Sequence, residues 1–407
     1  MVTGMPRVEF NKRLVLILLT AVVILIVGIP QAERLASDRD LLKPYDYVQY
    51  WTAGRQLLDG RNPYDPDELI EMQRSMFAGH LKTVMMWNPP WTLPIALPFA
   101  ALPWRLAQFL WLGLQLVAVL VSADLLWRIY GGKADDRWVS WVIALTFGPT
   151  LFLLLLGQIS GLLLLGIAGF LYFVRNERPI SAGCCVALTA IKPHLLALLG
   201  LFIILEAFRG KSTRRTILAG ALVIVVGGVL PVFWNHDVWS QYFEAMRRPP
   251  SDHFETMQEF EHPTIGYELR LLITGEPFAA QFIPFGIAMT AAPLVWFVRR
   301  REWRWREAMP MIVLVSVLTA AYGAWAFDLV VLLLPVLQVG VWLIQSANRL
   351  LIASATAGYL ILNGLVLRTI MHVGSQANAW IAPVVFGIYV AAWGAHRLAK
   401  QGSRKSN

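Results

Sequence analysis

An all-α polytopic membrane protein is the fold class that the sequence predicts, and three observations predict it. Only 15% of the 407 residues are charged and 57% are hydrophobic, whereas a soluble domain carries about 25% charged residues. The apolar residues come in blocks too long for soluble core elements, since a helix needs roughly 20 of them to cross a hydrocarbon core of about 30 Å. Short basic patches separate the blocks, as expected where Lys and Arg set the orientation of spans. A β-barrel would instead show short segments of alternating polarity.

Taken in order, the blocks predict about twelve spans in a single transmembrane domain: 14–30, 104–127, 138–156, 159–174, 180–191, 194–208, 216–234, 279–298, 309–322, 328–345, 350–371 and 380–396. The first follows Arg7, Lys12 and Arg13. It reads as an uncleaved span, because no small-x-small cleavage site follows it. The pair 180–191 and 194–208 is short and is interrupted by Lys192-Pro193, where proline removes a backbone donor and disfavours helix just before it. Residues 91–103 are apolar but carry Pro94, Pro98 and Pro103, which predicts a re-entrant or interfacial segment or the start of a bent span.

With the N-terminus cytoplasmic and the spans alternating, the clusters Arg209, Lys211, Arg214, Arg215 and Arg299, Arg300, Arg301, Arg304, Arg306 both fall inside, as does the C-terminus. That satisfies the positive-inside rule. Two outer segments are long, 31–103 and 235–278, and long connections in a compact bundle usually carry function. Within the first, Val48 to Leu58 and Glu68 to Met76 have mixed faces that predict helices lying along the membrane surface.

The net charge of +9 belongs to the ends of the apolar blocks, so it speaks for topology and not for nucleic acid. Cys184 and Cys185 are adjacent within an apolar run and imply no disulfide framework. No H-E-x-x-H or paired-Cys spacing suggests a metal. A Walker loop, a G-x-G-x-x-G unit and a G-x-S-x-G elbow are all missing. No cofactor is expected. An outward-facing membrane enzyme without a nucleotide site needs a substrate already activated in the lipid, and a polyprenyl-phosphate sugar meets that need.

The alternating topology brings several polar positions to one face. Asp46 and Tyr50 lie in the first long loop and Asn88 closes it; Gln158 and then Lys192 with His194 occupy outer turns; His262, Glu268 and Arg270 lie in the second long loop; Asp328 opens the tenth span. Charges near or within a bilayer are costly and usually face a cavity. Each residue also has a plainer reading. Asp46 and Asp328 could cap helices, Lys192 could snorkel to headgroups, and Gln158 could join two helices. Most of the 17 tryptophans suit an interfacial belt, although Trp51, Trp87 and Trp91 crowd the first loop and could pack on a sugar or lipid.

In order along the chain stand Asp46-Tyr47-Val48-Gln49-Tyr50 with Ala53, Leu57, Gly60, Pro63 and Tyr64; Asn88-Pro89-Pro90 with Pro94 and Pro98; Gly157-Gln158; Ile191-Lys192-Pro193; and Phe327-Asp328-Leu329 ahead of Leu334-Pro335. With these segments the sequence resembles the membrane glycosyltransferases of GT-C fold, and within them glycosyltransferase family 87, which includes polyprenol-phosphate-mannose-dependent α-mannosyltransferases. The resemblance implies a hexose, with mannose favoured, moved with inversion from a polyprenyl-phosphate donor to a glycolipid or glycan acceptor on the periplasmic or extracellular face of the cell membrane. It implies Asp46 as general base. Lys192, Arg270 and His194 are the candidates for the donor phosphate. Tyr50, Asn88, Gln158, His262, Glu268 and Asp328 are candidates for binding sugar or acceptor or for shaping the site. Asn88, after Trp87, stands where the family often has an aromatic residue.

The competing class is a secondary transporter or lipid flippase. Twelve spans suit it, but such proteins commonly show paired repeats and ionisable groups at midplane. Neither feature is visible in this sequence.

Overall fold

The computed structural model describes residues 46–76, 82–256, 258–372 and 378–405. The expected span 14–30 and the start of the first outer loop lie outside the described residues. Among the described residues the regular structure is helical, with no strand, and six of these helices are long and apolar enough to cross a membrane, or seven if one bent pair is a single span. Their outward faces are apolar: Leu218, Leu222 and Val226 on one helix and Ile287, Leu294 and Val298 on another are exposed, as a lipid-facing surface requires.

The first loop opens with α1 (Tyr47–Leu58) and α2 (Pro66–Met76), where the two amphipathic stretches were expected. Tyr47, Val48, Tyr50, Ala53 and Leu57 are at most 1% exposed, so α1 is enclosed by protein and does not lie free along a surface. It packs on α3 (Leu93–Ala100). Gly54 makes this approach possible, since a Cβ there would sit 2.7 Å from the Ala100 Cβ. Pro98 lies within α3 and Pro103 ends the segment, so the proline-rich stretch 91–103 is a short helix ahead of α4 (Trp104–Tyr130). α4 is a full span closed by Gly131 in the left-handed conformation.

The expected span 138–156 is two helices, α5 (Arg137–Thr146) and α6 (Gly148–Leu156), bent by 59°. Phe147 is extended and Pro149 lies in the first turn of α6, a position where proline's missing donor costs nothing. The freed Gly148 amide donates to the Asn363 Oδ1 at 2.6 Å. α6 ends at Gly157, again left-handed. α7 (Ser160–Arg175) follows, then α8 (Pro179–Ala187) and a 3-10 turn over Leu188–Ile191. Small residues set the packing here: a Cβ on Gly166 or Gly169 would meet Cys185 within 2.8 Å, and one on Gly183 would meet Thr216 O at 2.3 Å. Close backbone approach of this kind drives helix association in lipid.

The break predicted at Lys192-Pro193 is present, with Lys192 extended at φ −130° and ψ 75°. α9 (Ala197–Ala207) begins beyond it. α7, α8 with its 3-10 turn, and α9 are shorter than a full span. α10 (Lys211–Val229) reaches the second long loop, which holds α11 (Val238–Ala245) and α12 (Ile265–Leu272). The remaining elements are α13 (Ile283–Arg299), α14 (Trp305–Leu318), a 3-10 turn over Asp328–Leu332 leading into α15 (Leu333–Ser346), α16 (Arg349–His372) and α17 (Ile381–Lys405). The segment Asp328–Ser346 is the most buried of the candidate spans.

Candidate active site

Four chain breaks meet at one place. Asp46 immediately precedes α1, Gln158 follows the left-handed Gly157 between α6 and α7, Lys192 follows the 3-10 turn after α8, and Asp328 opens the 3-10 turn before α15. Polar groups at breaks escape the intrahelical ladder and can turn toward each other. The breaks are themselves pinned: Asp46 N donates to Leu156 O at 3.0 Å, and the Trp111 indole donates to Gly157 O at 2.7 Å. Tyr47 and Tyr50 pack their rings on the same indole.

Gln158 is the hub. Its amide nitrogen donates to Asp46 Oδ2 at 2.9 Å. Its carbonyl oxygen accepts from the Tyr50 hydroxyl at 2.7 Å and from Lys192 Nζ at 3.4 Å. A carboxamide serves a carboxylate and an ammonium at once because it has a donor end and an acceptor end. Lys192 also donates to Asp328 Oδ1 at 2.7 Å, as does the Ser160 hydroxyl at 2.5 Å. The Phe327 ring lies 4.8 Å from Nζ, within cation–π range. Side-chain exposure is 10% for Lys192 and zero for Asp328, so the pair is desolvated. Asp328 Oδ2 is buried with no hydrogen-bond donor among the described residues.

These contacts bear on the plainer readings of Asp46, Asp328 and Lys192, while the bonds of Gln158 do join separate helices. Asp46 makes no side-chain capping bond, Asp328 Oδ1 is taken by Ser160 and Lys192, and Lys192 turns inward. Burial pushes the Asp46 carboxyl up to about 6, against the opposing pull of the Gln158 hydrogen bond and the Lys192 charge. A carboxylate with its pKa near operating pH is well matched to accepting a proton.

Asn88 stands behind this network. Its side-chain amide donates to Ile191 O at 2.9 Å and its backbone carbonyl accepts from the Tyr64 hydroxyl at 3.4 Å, so it braces the Lys192 break. His194 and His262 form a neighbouring cluster. Both rings pack on Tyr322, and His262 Nδ1 accepts from Gly323 N at 3.2 Å. Gly323 is left-handed, and a Cβ there would lie 2.7 Å from His194 Nε2. Arg270 and Glu268 sit on α12. Arg270 is spent on Glu276 O, Gln258 O and Gln281 Oε1, and Glu268 is exposed; neither makes a hydrogen bond with the Asp46–Gln158–Lys192–Asp328 network. Sequence reasoning missed Ser160 and Trp111. Ser160 was signalled only by standing two residues after Gln158, and nothing in the sequence marked Trp111 among so many tryptophans. Among the described residues no group of three or more His, Cys, Asp or Glu side chains could hold a metal ion.

No curated protein and no solved structure matches the chain. The profile of glycosyltransferase family 87 matches residues 87–321, which include Asn88, Gln158 and Lys192 but not Asp46 or Asp328. Since that match covers more than half of the chain, the polytopic helical protein described here belongs to glycosyltransferase family 87 and is a membrane glycosyltransferase.

Proposed function

We propose that the protein transfers a hexose, with mannose favoured by family resemblance, from a polyprenyl-phosphate donor to a hydroxyl of a glycolipid or glycan acceptor. Asp46 is the general base. It takes the acceptor proton, the acceptor oxygen attacks the anomeric carbon, and the lipid phosphate leaves, so a single displacement inverts that carbon. The observation that carries this reading is the Asp46–Gln158–Lys192–Asp328 network, which sets a carboxylate of raised pKa beside a desolvated ammonium.

An ammonium has three donors. Lys192 uses two of them on Asp328 and Gln158, and the third is available to the departing phosphate, where fixed positive charge lowers the barrier. His194, two residues on, is the second candidate for that phosphate; Arg270, committed to the loop, is the third. Asp328 Oδ2 would accept a sugar hydroxyl, which accounts for a buried oxygen without a donor. Tyr50, Gln158 and Asn88 hold the geometry, and His262 and Glu268 remain candidates for the acceptor side. About twelve spans, cytoplasmic termini and a site on the periplasmic or extracellular side of the cell membrane complete the proposal, supported by the basic clusters on the opposite side.

The test is transfer from radiolabelled polyprenyl-phosphate-mannose into a native membrane extract, comparing wild type with Asp46→Asn. Labelled product from wild type alone is the expected result. Equal turnover by both proteins removes Asp46 as base. A second measurement addresses the donor: Lys192→Ala should raise the lipid donor concentration needed for half-maximal rate, and unchanged donor dependence refutes the phosphate role.

A further inference from the structure

A second polar cleft opens where the two outer loops meet. It has a volume of about 360 Å³ and is lined by Asn62, Asp65, Gln241, Glu244, Arg247 and Arg248, with Tyr64 in its wall. That volume is in the range of small-ligand sites, which start at about 300 Å³. The cleft joins the turn after α1 to α11 in the second loop.

Its walls are fixed by bonds that leave a specific set of groups unused. Asn62 Oδ1 accepts from Tyr64 N at 2.9 Å, which leaves its NH2 free. Gln241 Oε1 accepts from Asn235 Nδ2 at 2.9 Å, and Asn235 is itself anchored on Arg61 O, so Gln241 also keeps its NH2. Asp65 Oδ1 accepts from Asp67 N at 2.9 Å and faces Arg248 at 3.7 Å, which leaves Oδ2. Arg248 is clamped between Asp65 and Asp67, and His253 holds Asp67 from the far side at 2.5 Å. Glu244 and Arg247 are exposed, and neither side chain has a hydrogen bond or ion pair among the described residues.

The unused groups are therefore mixed. Asn62, Gln241 and Arg247 offer donors, while Asp65 and Glu244 offer acceptors. The four charges, Asp65 and Glu244 against Arg247 and Arg248, sum to zero. A phosphate or carboxylate ligand wants donors only and a positive field. A hydroxyl both donates and accepts, and a row of hydroxyls matches alternating donors and acceptors of zero net charge. Groups already held in place also lower the ordering cost of binding.

Buried side chains tie the wall of the cleft to the candidate active site. The Tyr64 hydroxyl donates to Asn88 O, and Asn88 donates to Ile191 O, next to Lys192. Along the chain, α1 leads from Asp46 to the turn bearing Asn62, a helix roughly 18 Å long at 1.5 Å per residue. One sugar cannot span that distance; several can.

We infer that this cleft is a distal acceptor subsite that binds a neutral oligosaccharide of several hexose units while its terminal hydroxyl reaches Asp46. The inference rests on the glycosyl-transfer reading above. It is tested with the full chain in detergent by saturation-transfer NMR, using methyl mannoside, neutral oligosaccharides of two to six hexoses, and phosphorylated oligosaccharides of equal length. Wild type should bind the longer neutral probes at least about tenfold more tightly than the monosaccharide, the effect expected from two or more hydrogen bonds to charged or amide groups. Gln241→Ala with Glu244→Ala should abolish that length preference, and Asp46→Asn should keep it. Absence of neutral oligosaccharide binding, preference for the phosphorylated probes, or binding unaffected by the double substitution each overturns the subsite. The affected side chains are outside the core, and an unchanged melting temperature confirms folding. If binding behaves as expected and wild type transfers no sugar from any polyprenyl-phosphate donor, the subsite stands and the proposed function falls.

Discussion

Two ion-pair clusters sit along α4, and they are built on opposite principles. Near its N-terminal part, Trp111 braces Gly157, and beyond it lie Gln158, Lys192 and Asp328, drawn from separate chain breaks and almost fully desolvated. Near its C-terminal end, Asp124 binds Arg128 one turn on and Arg137 from α5, with both arginines at 41% exposure or more. Thirteen residues, roughly 20 Å of helix, separate Trp111 from Asp124. The second cluster is local in sequence, and although the Asp124 side chain is 13% exposed its two arginines reach solvent, as expected of charges that orient a span end. The first is non-local and dry. Burying a charge pair is costly and is often no more stabilising than packed apolar residues, so its presence argues for function over stability.

Substitutions can break or sharpen this contrast. The largest effect belongs to Asp46→Asn, which should reduce transfer by about 10² to 10⁴-fold, the usual worth of a general base, in the radiolabel assay. The same variant also separates chemistry from stability. Because burial raises the Asp46 pKa from 3.8 to about 6, the folded state binds the extra proton more tightly than the unfolded one. Stability from this group is full below pH 4 and is lost as pH rises through 6. Asp46→Asn should therefore lose activity at pH 7 without a fall in melting temperature.

Next in size, Asp328→Ala should destabilise the protein by about 3 to 5 kcal/mol because it strands Lys192, and Lys192→Met in the same chain should restore most of the loss. Thermal unfolding in detergent measures both, and failure of the second substitution to rescue would show that Asp328 acts through Ser160 alone. A smaller effect is kinetic: below pH 6 the rate should fall about tenfold per pH unit as Asp46 takes up its proton, read from a pH–rate profile that Asp46→Asn flattens. The smallest effect should come from Asp124→Asn, about 1 kcal/mol, since its arginine partners are half-exposed and stay hydrated when the carboxylate is lost. A loss equal to that of Asp328→Ala would erase the distinction between the two clusters.

The dry cluster was largely legible in the sequence. Asp46, Gln158, Lys192 and Asp328 are polar residues at helix breaks, and breaks are written in glycine, proline and the ends of apolar runs. Ser160 and Trp111 were not legible, because a small hydroxyl and one tryptophan among 17 carry no pattern until helices are packed. Arg270 and Glu268 look like members of the site from order along the chain, yet Arg270 binds its own loop. A long connection leaves its spatial position open, and only tertiary contacts settle it. The membrane architecture was plain from composition. The number of crossings was harder to read because α7, α8 and α9 are apolar but short, and because the bend at Phe147 turns one apolar block into two helices. The apolar block 138–156 reads as one span, with no weight given to Gly148-Pro149, where the bend falls; the partner of Gly148, Asn363, lies 215 residues away.

That separation has a counterpart at the Lys192–Asp328 pair, whose members are 136 residues apart. During synthesis Lys192 emerges first, and at about 5 to 20 residues per second its counter-charge follows only after roughly 7 to 27 seconds. Throughout that interval the ammonium has to stay in contact with water or headgroups, so the helices around it cannot close. The Lys192–Asp328 contact is consequently among the last parts of the network to form, and in a chain that stops short of Asp328 no other carboxylate among the described residues bonds to Lys192.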